Sequence, residues 1–440
     1  MISSLRQRYN AAFTEARYTA FMAELNKSMY WPVDFRVAES PLFLDADTTQ
    51  ALVAASDDIV GQLARPAFRA HAKTAIPAGL EVPKETEWPH FLAVDFALCR
   101  DTSGQVLPQL IELQGFPTVA CWQALLAAAY KRHFPEIPAD FTPYFGGARP
   151  SPFAKATDDR PDALSGAANE AKVVSANSSQ PVQRPGSTYE EQEAHYLADL
   201  RRAILGDCLP ENVVLLEITP DQQKTRIDFA CTHAMLGIKP LCVTKVLKRG
   251  KQLFYGSGGR EVRIERIFNR VIFDELLRKN PPMRFSFFED LDVQWAGHPN
   301  WYFRISKHTL PYLRSPYVPD CRFVSELGGN LPADLENYVL KPLYSFAGLG
   351  VDIAPTREKL AAVEKPGEWL LQRKVAYAPL METPDGPAKA EVRLIYAGDG
   401  EGMPTLVNQL VRLTKGAMHG VDFNKGRTWV GASAGFHAPL

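Results

Sequence analysis

Between Gly147 and Ser187 the chain almost stops offering large apolar side chains. Arg149-Pro150-Ser151-Pro152 and Ser175-Ala176-Asn177-Ser178-Ser179-Gln180-Pro181 are typical of it, with Pro, Ala, Ser, Asn, Gln and charged residues filling the rest. A stretch that buries little apolar surface cannot offset the entropy lost on ordering, so it reads as a linker or disordered excursion. It divides the 440 residues into parts that must fold on either side of it. The organisation expected is a helical region with a pair of strands over 1–146, the linker over 147–187, an α/β layer over 188–300 and a last lobe over 301–440. With 46% hydrophobic residues, each folded part can have a core.

Periodicity fills in the parts. Leu5 to Leu25 and Thr48 to Leu63 carry helical spacing, the second opening at Asp45 or Asp47. Phe91 to Leu98 and Gln109 to Leu113 read as strands around a turn at Asp101-Thr102-Ser103-Gly104, a hairpin that brings Asp95 toward Glu112. After the linker, helix Thr188 to Leu205, strand Asn212 to Ile218, helix Gln222 to Leu236 and strand Leu241 to Val246 alternate as in a parallel α/β layer. Ile264 to Leu277 carries a helical spacing. Tyr338 to Pro342, Trp369 to Val375, Glu391 to Tyr396 and Leu406 to Leu413 read as strands. Gly256-Ser257-Gly258-Gly259 is either a phosphate cradle or a plain turn; it precedes no helix, which favours the turn.

Lys+Arg 49 against Asp+Glu 50 leaves a net charge of -1, which gives no general attraction to nucleic acid or acidic membranes. An anionic ligand must be held locally. No apolar run reaches membrane-spanning length, and the six cysteines show no CxxC spacing, so reduced thiols in a cytoplasmic protein are expected. No histidine stands in a recognisable relation to a reactive cysteine, so no thiol amidase is expected.

Two segments carry chemistry. In Ile111-Glu112-Leu113-Gln114-Gly115-Phe116-Pro117-Thr118, residues Glu112 and Gln114 stand at i and i+2 and share a strand face, where with Asp95 they offer hard oxygens to Mg²⁺. In Lys341-Pro342-Leu343-Tyr344-Ser345-Phe346-Ala347-Gly348-Leu349-Gly350-Val351, a lysine leads a glycine loop. A cation beside a lysine and a mobile loop points to bound ATP. Each residue also has a plain alternative: Lys341 and Lys307 as salt-bridged surface lysines, Glu112 as a solvated strand residue, Gln372 as an exposed strand glutamine. Arg393 shares a face with Glu391 and fits either a developing phosphoryl charge or an ordinary cross-strand pair.

The segment Glu112 to Thr118, preceded by Asp95-Phe96, resembles the metal strand of the circularly permuted ATP-grasp proteins, the glutathionylspermidine synthetase-like ligases. In that group the metal strand comes before the lysine-bearing strand, as it does here. Lys307 in Arg304-Ile305-Ser306-Lys307-His308-Thr309-Leu310-Pro311 is similar to the first nucleotide lysine. Lys341, Ser345, Gly348 and Val351 resemble the second lysine and its loop. Trp369-Leu370-Leu371-Gln372-Arg373-Lys374-Val375-Ala376-Tyr377-Ala378-Pro379 resembles the hinge strand, placing Gln372 and Val375 at the adenine. The resemblance spans about 90–130 and 190–440. The chain departs from the group at Gln114, where relatives carry Asn, at Phe346-Ala347, where they carry Arg-Glu, and at Ala93-Val94, where an Arg precedes the metal aspartate.

The resemblance implies an α/β, permuted ATP-grasp fold with a preATP-grasp-like layer and without an amidase domain. It implies an ATP- and Mg²⁺-dependent ligase joining a small-molecule carboxylate to an amine or thiol through an acyl phosphate. Glu391, Arg393 and Arg412 are then the catalytic candidates, with Asn408 and Asn424 near the γ-phosphate and acceptor. A kinase on the same fold is an alternative, and so is a nucleotide-binding sensor or assembly protein that no longer turns over, which the Phe346-Ala347 departure makes credible. From composition alone, limited proteolysis should cut first between Gly147 and Ser187 with little change in the melting temperature of the nicked protein. Slow amide exchange across that stretch would contradict the linker reading.

Overall fold

Helices α1 (Ser3–Ala12) and α2 (Glu15–Lys27) open a computed structural model that describes residues 2–146, 188–345, 350–416 and 424–438. The linker reading for Gly147 to Ser187 lies outside the described residues. The continuous helical spacing from Leu5 to Leu25 is interrupted at Thr14, whose hydroxyl accepts from Arg17 N at 3.3 Å and starts α2 afresh. An N-cap of this kind contributes about 1 kcal/mol, enough to fix where a short helix begins. Next come β1 (Leu42–Leu44) and α3 (Ala46–Gln62), the latter capped by Asp45, whose carboxylate accepts from Thr48 N at 2.9 Å. After α4 (Pro66–Lys73) the hairpin β2 (Phe91–Arg100) and β3 (Val106–Gln114) turns where Asp101 accepts from Ser103 N and Gln105 N. Helix α5 (Ala120–His133) follows. Buried along most of its length, it lacks the one-sided apolar stripe that would have marked it in the sequence.

The second part begins at α6 (Tyr189–Leu205), where Thr188 and Glu191 form a reciprocal capping box. Strand β4 (Val213–Glu217), helix α7 (Arg226–Leu236) and strand β5 (Lys239–Cys242) alternate as expected, although the second strand breaks into a 3-10 turn over Val243–Lys245. Strands β6 (Leu247–Arg249), β7 (Gln252–Ser257) and β8 (Arg260–Ile264) form a small antiparallel sheet, and Gly258 and Gly259 make the plain turn between the last two with positive φ angles of 58° and 77°. The helix expected from Ile264 to Leu277 is not there. The chain forms β9 (Arg266–Asn269) and then α8 (Phe273–Lys279). Strand β9 lies between β4 and β10 (Gln294–Ala296) in a parallel sheet of order β10-β9-β4-β5. A parallel strand covered on both faces shows a run of buried residues that helical spacing imitates.

After α9 (Asn300–Arg304), β11 (Cys321–Phe323), β12 (Tyr338–Pro342) and β13 (Trp369–Arg373) pair antiparallel in the order β11-β13-β12, with α10 (Arg357–Ala361) between the last two in sequence. Then β14 (Lys389–Ala397), β15 (Thr405–Thr414) and β16 (Gly431–His437) join the earlier strands in a six-stranded sheet of order β1-β16-β15-β14-β2-β3. The β2–β14 pairing sets Arg393 directly opposite Asp95. Each of the three larger sheets has buried apolar residues of its own. The six-stranded sheet packs with α1 to α3 and α5 to α7, the parallel sheet with the small β6–β8 sheet, and the three-stranded sheet around Leu335, Leu340 and Leu371. The protein is a mixed α/β structure. No helix among the described residues is long and apolar enough to cross a membrane.

The end of β3 meets α9 with no room to spare. Gly115 N donates to Ile305 O at 2.7 Å, and a Cβ on Gly115 would stand 2.6 Å from Trp301 O and 3.0 Å from the Ile305 Cβ. Gly115→Ala must therefore push α9 off the strand end. Overpacking against backbone costs about 1–3 kcal/mol, which should appear as a lower urea midpoint at unchanged m-value. An unchanged midpoint would mean that α9 moves without cost.

Candidate functional site

Antiparallel pairing puts directly opposed residues on the same face. Asp95 on β2 pairs with Glu112 on one side and Arg393 on the other, and Glu391 pairs with Arg412 on β15, so five of the charged candidates stand side by side across four strands. The register slips next to them: Asp95 opposes Glu112 but Phe96 opposes Leu110, leaving Ile111 as a bulge. Bulges redirect backbone groups near sites. Here the Ile111 carbonyl accepts from Lys341 Nζ at 3.4 Å.

At the centre is Asp95, 1% exposed. The Arg393 fork closes on it, Nε to Oδ1 and NH2 to Oδ2 both at 2.6 Å, and Arg412 NH2 adds a third contact at 3.0 Å. Arg412 also binds Glu391, whose other oxygen accepts from Tyr377 OH at 2.9 Å. Burial pushes the Asp95 carboxyl above its ordinary value, and Arg393 opposes that push. The two guanidinium groups donating to it favour its charged form. Burial likewise works against the Arg412 charge, but Glu391 and then Asp95 outweigh it and hold the guanidinium protonated. The third face of Arg393 is turned to the loop after β3, where NH1 donates to Thr118 Oγ1 at 3.1 Å.

A second cluster adjoins the first through Glu112. Lys307, at the start of the 3-10 turn Lys307–Tyr312, has its Nζ 3.4 Å from Glu112 and donates to Ser345 O at 2.6 Å. Lys341 on β12 donates to Gln372 Oε1 on β13 at 2.6 Å. The Gln372 Nε2 is buried without a hydrogen-bond partner. Burial lowers the Lys341 pKa, opposed chiefly by Glu112. Glu112, Gln114, Tyr302, Lys307, Tyr344 and Ser345 line a cleft of about 10 Å³, room for one water molecule at most.

The structure thus brings together Asp95, Glu112, Arg393, Arg412 and Glu391 in one strip and Glu112, Gln114, Lys307, Lys341, Ser345 and Gln372 at its end. Val375 lies just beyond β13, half-buried in the connection toward the large sheet. That connection is pinned by Lys374 N to Asn337 O at 2.7 Å and by Ala378 N to Leu98 O at 2.9 Å. Gly348, with Phe346-Ala347, lies outside the described residues. Two candidates stand apart. Asn408 Oδ1 accepts from Gln409 N at 2.7 Å, and Asn424 Oδ1 closes the end of β15 by accepting from Thr414 Oγ1 and Lys415 N. Sequence reasoning passed over Tyr377, and it gave Thr118 no role beyond its place in the strand motif. Tyr377 is in the hinge segment itself but had no spacing to mark it. Among the described residues, no group of three or more His, Cys, Asp and Glu side chains is placed to hold a metal ion. Glu112 and Gln114 offer two cleft-facing oxygen ligands, whereas Asp95 is already taken by the arginines.

No protein-family profile matches the chain, and no curated protein sequence matches it. Among solved structures it is similar to a glutathione synthetase-like effector from Globodera pallida in its apo form. The identity is 9%, over 92% of this chain and 90% of that one, with a TM-score of 0.49.

The buried pair makes a testable demand. Asp95→Asn leaves Arg393, itself only 14% exposed, without its counter-charge, and breaking a buried pair from one side costs about 3–5 kcal/mol. The loss should be visible as a lowered urea midpoint, and adding Arg393→Leu should restore part of it. Additive losses would show that the two side chains do not depend on each other.

Proposed function

We propose that the protein is an ATP- and Mg²⁺-dependent ligase that activates a small-molecule carboxylate for attack by an amine or thiol, on a permuted ATP-grasp scaffold. The observation that carries this reading is that two lysines from separate elements reach the end of β3: Lys307 Nζ lies 3.4 Å from Glu112 in the cleft, and Lys341 Nζ donates to the neighbouring Ile111 carbonyl at 3.4 Å. Two ammonium groups facing one carboxylate form a site for phosphate oxygens bridged by a cation. Glu112 and Gln114 would hold Mg²⁺, and Lys307 and Lys341 would neutralise the phosphates. Ser345, with the Gly348 loop, would cover them. The unpartnered Gln372 Nε2 would meet an acceptor on the adenine edge, with Val375 packing beside it. Bound nucleotide would supply the phosphoryl group that activates the carboxylate.

The residues of the chain would then act by position and charge. Asp95 fixes the Arg393 fork, and Arg393 and Arg412 present their remaining positive field to charge that develops on the transferring group. Glu391 and Tyr377 hold Arg412 in place. A cleft of about 10 Å³ admits no nucleotide, so entry requires the two sheets to part about the Lys374–Ala378 connection. One observation favours the reading of a sensor or assembly protein without turnover: the carboxylate that would complete a metal site, Asp95, is closed off by arginines.

The test is release of adenosine diphosphate with Mg²⁺ and a panel of carboxylate and amine pairs, with and without hydroxylamine. A ligase yields a hydroxamate from the activated carboxylate. Release without hydroxamate indicates a kinase, and ATP binding without release indicates the sensor. Lys341→Met deletes one charge-assisted contact, typically about 1.5–3 kcal/mol, and should weaken ATP binding about tenfold or more while leaving adenosine binding unchanged. Equal ATP affinity in calorimetry would make Lys341 a structural lysine and remove the nucleotide site.

A further inference from the structure

Across α9 from the cleft lies a larger cavity of about 120 Å³ that the proposed reaction does not use. Its walls are the rings of Phe68, Trp88 and Trp301 with Ile305 and Met403, and its mouth carries Arg69 on α4. The volume approaches that of a cavity of roughly 150 Å³ known to accept benzene in another protein, so it suits a phenyl ring or a branched aliphatic group.

The charges at the mouth are not evenly matched. Arg304 is paired with Glu85, NH2 donating to Oε2 at 2.8 Å and Nε lying 2.6 Å from Oε1 outside hydrogen-bond geometry, and its NH1 donates to Ala72 O at 3.2 Å. Arg69 is held less closely. Its guanidinium lies 4.0 Å over the Trp88 ring, and NH1 reaches only to 3.9 Å from Glu87, a residue 66% exposed. Its side chain is 38% exposed, and among the described residues its NH2 has no hydrogen-bond partner. Lys73, one helical turn along α4, also lines the cavity and adds a second positive charge. A guanidinium stacked on an aromatic ring at the edge of an apolar cavity, with a donor left over, can turn that donor to a carboxylate.

We propose that this cavity binds a small carboxylic acid, its aryl or branched apolar body seated between Trp88 and Trp301 and its carboxylate on Arg69. The site is separate from the nucleotide cleft and does not depend on the ligase reading. The two share only a wall. Trp301 and Ile305 face the cavity, Tyr302 and Lys307 face the cleft, and Ile305 touches both. An occupant would therefore bear on the segment that carries Lys307.

Calorimetry of the full chain with phenylacetate as the probe and phenylacetamide as its neutral counterpart tests this, with tryptophan fluorescence as a second readout because two indoles line the cavity. Phenylacetate should bind saturably, the amide about tenfold more weakly, and Arg69→Gln should weaken phenylacetate about tenfold while leaving the amide unchanged. The proposal is overturned by absence of saturable phenylacetate binding, by equal binding of acid and amide, or by wild-type affinity for phenylacetate in Arg69→Gln.

Discussion

The carboxylate of Asp95 is the charge on which the arrangement depends. An ion so buried would be costly alone, and the attraction of a partner compensates only when the geometry is good and the remaining lone pairs are filled. Both conditions are met, since Arg393 closes on both oxygens and Arg412 takes a further position. The three residues come from β2, β14 and β15, so the same contacts that neutralise the charge lock the registers of those strands. The contacts continue outward. Arg393 reaches Thr118, the Thr118 carbonyl accepts from Arg270 at 2.7 Å, and Arg270 meets Asp228 at 3.1 Å. Asp228 in turn accepts from Trp122 N at 2.9 Å. A thread of polar contacts thus runs from the six-stranded sheet to the end of β9 and into α7 and α5, alongside the apolar core that Val213, Leu215, Phe268 and Ala296 of the parallel sheet share with the six-stranded one.

This thread also explains why the strip has a fixed electrostatic sign. Lys307, Lys341, Arg393 and Arg412 face Asp95, Glu112 and Glu391, four cations against three carboxylates. Arg393 and Arg412 balance Asp95 and Glu391, and the excess positive charge sits at the lysine end.

How far this could be read beforehand depended on range. Hairpin β2–β3 and strands β12, β14 and β15 were visible because each has its own alternation and turn residues, and the hairpin alone implied that Asp95 approaches Glu112. Strand β1 has only three residues, Leu42–Leu44, and β16 is Gly-Ala-Ser-Ala-Gly-Phe-His, with no β-branched residue. Both exist because a neighbour's edge is available, which a local pattern does not record. Segment 264–277 failed for the opposite reason: its pattern was strong and tertiary context overrode it. Arg266, inside β9, is buried and donates to Ile204 O and Ala203 O, so a residue that would mark a helix surface is a core donor instead. At the candidate site, the local Asp95–Glu112 pairing was legible and the long-range ones were not. That Asp95 would meet Arg393 depends on β2 lying beside β14, almost three hundred residues away in sequence.

Lys341 shows what the arrangement still lacks. Its ammonium is turned into a space between two sheets where burial disfavours the charge. Its near partners are the Gln372 side-chain oxygen and the Ile111 carbonyl, both neutral, and Glu112 acts on it from farther away while also facing Lys307. A neutral acceptor returns only part of the solvation that an ammonium loses. Lys307 is similar, held at 2.6 Å by a carbonyl and only at 3.4 Å by a carboxylate. Two cations whose best contacts are dipoles, sharing one carboxylate, are relieved by a multivalent anion in the cleft. Such an anion would raise the Lys341 pKa back toward its ordinary value and loosen the Lys307–Glu112 contact, leaving Glu112 available to a cation. The lysines and Glu112 would then change from mutual neutralisation to the clamping of a charged ligand.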